Sequence, residues 1–216
     1  MGFLSAFQKK PLTDAVQSTE KFSGLIARFL EKTPLGAGPR DRSITLIARS
    51  PAMAAARALT LHASEIERQQ ISVQVVFAKL APAELLGQLA ATLGLIDQRN
   101  PAATKVRIIK NAALLDAHEQ LVLGREFCWT GDMLRRCDEH RNRLDIVEEG
   151  LTGPVRLAEL SFSAIWAVAK PVPPRALSGH PLGQPLGSVN PAFAAAGLAS
   201  DKVPAFLPGG LIHTRH

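Results

Sequence analysis

Three short apolar runs rich in β-branched residues, SITLIAR (Ser43 to Arg49), ISVQVVFAKL (Ile71 to Leu80) and KVRIIKN (Lys105 to Asn111), are separated by two stretches of helical composition. This alternation constrains the fold more than any other feature of the chain. Strand, helix, strand, helix, strand is satisfied by parallel strands joined through right-handed helical crossovers. Pro51, at a helix start, leads into AMAAARALTLHASEIERQQ, whose alanines and leucines predict one helix. A second helix, APAELLGQLAATLGLI, runs on from Pro82, and the polar DQRNPAATK links it to the third strand.

The pattern then changes. Three short strands, LDAHEQLVLG, EFCWTG and RLDIVEEG, follow one another without a helix, the last after the charged DMLRRCDEHRN. The helix PVRLAELSFSAIWAVAK closes the core, with Phe162 and Trp166 one turn apart as apolar anchors. The expected fold is α/β, a mixed parallel and antiparallel sheet with helices on both faces, in a single domain spanning residues 43–172. Ahead of it, residues 1–42 read as an amphipathic helix and a loop. Phe22, Leu25, Ile26, Phe29 and Leu30 fall at helical spacing, Asp14 is the expected N-cap and PLGAGPR is the break. From Pro171 onward the chain holds eight of its 15 prolines, so residues 173–216 read as an extended tail, lying on the domain or left free.

No apolar run approaches the roughly 18 residues that a membrane helix needs, and in MGFLSAFQKK the lysines follow the apolar patch where a signal peptide has them first. These features predict a soluble, cytoplasmic protein. Cys128 and Cys137 are too few for a disulfide framework. With His118 and His140 they would make a Cys2His2 set, but the paired spacing of structural zinc ligands is missing, so no metal is expected. The Gly36–Gly38 "GAG" precedes the first strand, there is no Walker-type loop or dinucleotide fingerprint, and no G-x-S-x-G elbow occurs, so no cofactor is expected either. The net charge of +6 favours anionic partners. The absence of Tyr and an aromatic content of 5% argue against a single-strand nucleic-acid binder that stacks bases on exposed rings.

The segment most suggestive of chemistry is DAHEQLVLGREFCWTGDMLRR, Asp116 to Arg136. On a strand His118 and Gln120 face the same way, and Gly131 ends the next apolar run. The order of elements, with AHEQLVLGR at a motif position, EFCWTGD as a glycine strand and FSAIWAVAKPV as a closing helix, resembles one half of a phospholipase D superfamily protein over residues 43–172. The resemblance implies a phospholipase D-like fold and, in active members, a histidine that attacks phosphorus. A lysine two residues on neutralises the transition state, and a second motif protonates the leaving oxygen. Here the lysine position holds Gln120, the motif's Asp position Arg125, the hydroxyl position Asp132 and the Asn position Leu134.

The resemblance therefore implies a catalytically degenerate domain with a binding or scaffold role toward anionic, phosphate-containing ligands. Gln120, Arg135, Arg136, Arg141 and Arg143 are its candidate ligand-binding residues. One motif per chain implies a homodimer. Two alternatives stand beside this reading: an active phosphodiesterase or nuclease using His118 across the dimer, and a basic nucleic-acid-binding protein. A lone histidine on a strand face is most often a hydrogen-bonded structural residue, and an arginine-rich loop carrying Asp138 and Glu139 is most often solvated.

Overall fold

The computed structural model describes residues 10–96, 102–135 and 144–178. Its frame is a seven-stranded mixed sheet built from β1 (Ser43–Ala48), β2 (Ser72–Phe77), β3 (Val106–Ile108), β4 (His118–Leu123), β5 (Phe127–Met133), β6 (Ile146–Glu149) and β7 (Lys170–Pro171), in the order β6-β5-β4-β1-β2-β3-β7. β1, β2 and β3 are parallel, as the alternation with helices predicts. β4 adds to β1 antiparallel, and β5 and β6 continue outward as a meander, while β7 closes the far edge against β3.

The two crossovers between the parallel strands have one hand, so their helices land on one face. These are α2 (Ala54–Leu61), α3 (Ala63–Arg68) and α4 (Ala83–Ile96), joined there by α1 (Lys10–Lys32). Phe22, Leu25, Ile26 and Leu30 of α1 meet Leu59 of α2, Leu86 and Leu89 of α4 and the strand residues Ile44, Leu46, Val75, Leu121 and Trp129 in one buried cluster. The N-terminal helix is thus a wall of the core. The opposite face is covered among the described residues by α6 (Thr152–Val168), whose Phe162 and Ile165 pack on Ile47 and Val76, and whose Val155 and Ala158 pack on Val122 and Cys128. The 3₁₀ turn Ala112–Asp116 and the short helices α5 (Ala102–Lys105) and α7 (Pro174–Leu177) complete the described elements. No helix among the described residues is long and apolar enough to cross a membrane.

Two local expectations need correction. α1 runs through Asp14, which therefore lies inside the helix and does not cap it. The segment after Pro51 is two helices, because His62 leaves the helical backbone (φ −99, ψ 16) between α2 and α3. Its Nε2 shares a 2.7 Å hydrogen bond with Ser23 Oγ of α1, a partner that local propensity does not contain. At the other end, Val172 and Ala176 are buried in the main cluster, so the first residues of the expected tail lie on the domain.

Candidate functional site

The site singled out by sequence lies where β4 begins and β5 ends. His118 opens β4 and is exposed, and its Nδ1 donates to the Gly131 carbonyl at 2.8 Å. In the neutral ring that bond fixes the tautomer and leaves the Nε2 lone pair available. Gln120 is buried, opposite Ile47 of β1 and Thr130 of β5, and strand alternation sets it on the α6 face with His118. The β4–β5 register shifts between these two residues: His118 pairs with Met133 and Gln120 with Thr130, so Gly131 and Asp132 together oppose Glu119. That is a β-bulge on β5.

The bulge sends Asp132 away from the histidine. Asp132 is 5% exposed, accepts a 3.1 Å hydrogen bond from the Leu144 amide, and shares with Glu119 the wall of a cavity of about 390 Å³ on the α1 face. Gly131 faces the same way, since a β-carbon there would meet Trp129 Cη2 at 2.4 Å and Glu119 Cβ at 3.3 Å. Asp145, Lys21, Trp129 and Met53 add to that wall. Trp129 Nε1 donates to Asp145 Oδ1 at 2.7 Å, and Lys21 Nζ lies 2.5 Å from the same carboxylate. Burial alone would raise the Asp145 carboxyl, but the hydrogen bonds from Lys21 and Trp129 outweigh it and hold the group below its ordinary value. Glu119 Oε1 also accepts from the Arg49 amide at 3.4 Å, and Arg49 Nη2 donates to the Met133 carbonyl at 3.2 Å.

Two chemically distinct surfaces therefore sit back to back across β4. One carries His118 and Gln120; the other carries three carboxylates, Glu119, Asp132 and Asp145, with Lys21 committed to the last. Sequence reasoning followed the His118 row and passed over Glu119 and Asp145. The available signal was Glu119 itself, a carboxylate in register with Leu121 and Leu123 on a core-facing row.

The remaining candidates divide. Arg135, just past β5, sits at the same end of the sheet as His118, with its Nε 2.7 Å from Asp116 Oδ1 and its amide donating to the Leu115 carbonyl. Arg125 lies at the opposite end, in the β4–β5 turn, paired with Asp41 at 3.3 Å. Leu134 is buried under α6 with Ile47 and Phe162. Arg136, Arg141 and Arg143, with Cys137 and His140, lie outside the described residues. Cys128 is buried, and burial together with its 3.4 Å contact to Glu148 pushes the thiol up to about 12. Among the described residues no three His, Cys, Asp or Glu side chains are grouped to hold a metal ion. Among the described residues four cavities, of about 380, 390, 480 and 790 Å³, have neither His118 nor Gln120 in their walls.

No known family, curated protein or solved structure matches the chain.

Proposed function

We propose that the chain is a phospholipase D-like domain that no longer hydrolyses phosphodiesters and binds phosphate-containing ligands as a homodimer. The observation that carries this reading is the setting of His118. The position two residues on, where the resemblance calls for a lysine, holds a buried neutral amide, and Arg135 at the same end of the sheet is engaged by Asp116. An amide can donate a hydrogen bond to a phosphoryl oxygen but brings no charge, and losing a charged donor costs roughly two orders of magnitude in rate or more. Asp132, at the motif's hydroxyl position, faces the other side of the strand and cannot substitute.

One observation favours the alternative of an active phosphodiesterase. The bond from Nδ1 to the Gly131 carbonyl leaves Nε2 as the outward nitrogen of an exposed ring, the arrangement that a nucleophile needs. Turnover of an aryl phosphodiester by the pure chain, beside His118→Ala, separates the two. The expected result is no His118-dependent turnover, and a rate abolished by His118→Ala would establish the enzyme instead. Sedimentation equilibrium at micromolar concentration tests the pairing, and a clean monomer mass would remove the homodimer from the proposal.

A further inference from the structure

The largest of the four cavities, about 790 Å³, lies at the far end of the sheet from His118, under the first turns of α6. Its origin is topological. Both crossovers put their helices on the α1 face, so α6 is the helix that covers the reverse side among the described residues, and a helix of this kind shields a strip only about 10 Å wide. The sheet changes character where that cover ends. Ile47 and Val76 are apolar and sealed by Phe162, whereas Thr45 and Gln74, two residues earlier on the same strands and directly paired, are polar and form the cavity floor.

Three features of this cleft point to an anionic, hydroxylated ligand. Its wall carries three arginines, Arg40, Arg125 and Arg156, against one carboxylate, Glu159. Arg125 is held by Asp41, but Arg40 and Arg156 are exposed and have no ion-pair partner among the described residues. The α6 N-terminus at the rim has Leu151 as its cap, without a side-chain hydrogen bond, and no acidic residue in its first turn. Its amide dipoles therefore add to the positive potential. Finally, the Thr45 hydroxyl is fully buried and has no hydrogen-bond partner. An orphaned buried hydroxyl is costly, and a χ1 rotation that turns it to a partner bound in the cleft would satisfy it.

We propose that this cleft binds a phosphorylated polyhydroxy compound of sugar-phosphate type, its phosphate held between Arg40 and Arg156 and its hydroxyls on Thr45 and Gln74. The volume suits such a molecule, and forked guanidinium donors suit its phosphate. With two unpaired cations and no aromatic side chain but the buried Phe162 in the wall, the cleft lacks the stacking platform and extended charge that a nucleic-acid strand requires. The inference draws nothing from the His118 surface and stands or falls separately from the reading above.

Isothermal titration calorimetry of the full chain at low ionic strength, with ribose 5-phosphate, ribose and inorganic phosphate, tests it. Ribose 5-phosphate is expected to bind more tightly than either fragment. The double variant Arg40→Ala/Arg156→Ala should weaken it by about tenfold or more, and Thr45→Val by about fivefold. Both arginines are exposed, so the double variant should retain the wild-type melting temperature. His118→Ala should change nothing. Absence of ribose 5-phosphate binding, or binding indifferent to the double variant, overturns the proposal. Binding lost in His118→Ala alone overturns it too, while supporting a phosphate ligand at the other end of the sheet. A single-stranded oligonucleotide that binds through the same arginines more tightly than ribose 5-phosphate would show that the occupant is wrong.

Discussion

Trp129 lies across Gly131: a β-carbon on Gly131 would come within 2.4 Å of the indole Cη2 and 2.5 Å of Cζ2. The indole is also fixed from two other directions, by the Phe22 ring at 4.7 Å edge to face and by the Asp145 carboxylate. Moving the indole would break both contacts. Gly131→Ala should therefore lower stability by about 1–3 kcal/mol, the usual cost of overpacking a fixed core, as measured by urea denaturation. An unchanged midpoint would mean that Trp129 moves freely. The same glycine supplies the carbonyl that accepts from His118, so the substitution should also loosen the imidazole, visible as a shift in its NMR resonances.

Acid should act through Asp145. Its carboxyl is held below the ordinary 3.8 by hydrogen bonds from Lys21 and Trp129 against the opposing effect of burial, so folding favours the ionised form. For a depressed carboxyl the contribution is complete above the unfolded-state value and disappears as pH falls through and below it. Asp145→Asn should flatten the loss of stability below about pH 4 and leave its slope near neutrality unchanged. A slope identical to wild type in the acid range would remove Asp145 from the account.

Cys128, pushed up to about 12 by burial and by Glu148, should be inert as a nucleophile in the folded chain. In a Cys137→Ser background, a disulfide exchange reagent at pH 8 should leave Cys128 unmodified until denaturant is added. Rapid labelling in the native state would show that α6 opens from the sheet.

The hydrogen bond between Ser23 and His62 joins α1 to the break between α2 and α3. Ser23→Ala should cost about 1 kcal/mol of stability, with Ser23→Thr costing less if its hydroxyl retains the contact. Equal losses in the two variants would mean that the contact contributes through packing alone.

The parallel trio and the three later strands were legible because apolar, β-branched runs of strand length report burial in a sheet. Phe162 stands buried and Trp166 stacks on it at 5.5 Å, as their spacing suggests. The break at His62 was not legible. No Gly or Pro marks it, and its partner, Ser23, is 39 residues away. Asp14 was misread as a cap because an Asp ahead of an apolar-periodic run is a usual start signal, although here the helix runs through it. At the candidate site, alternation correctly set His118 and Gln120 in one row. The bulge that turns Asp132 to the opposite face depends on the pairing of β4 with β5, and residue spacing within either strand does not report it. The cleft under α6 was invisible for a similar reason: Thr45 and Gln74 are unremarkable in sequence and become a floor only when β1 and β2 pair.

The attachment of α1 by Lys21 to Asp145, 124 residues later, and by Arg28 and Lys32 to Glu149, sets an order on the birth of the protein. During synthesis the first helix and the parallel strands leave the ribosome long before β4, β5 and β6 exist to receive them. Until then Phe22, Leu25 and Leu30 have only part of their burial available. An unfinished chain therefore offers a sticky amphipathic helix for as long as translation takes to reach the meander, at about 5–20 residues per second. Chaperone dependence should follow from this interval, and slowing translation ahead of β4 should lower the yield of native protein more than slowing it after β6.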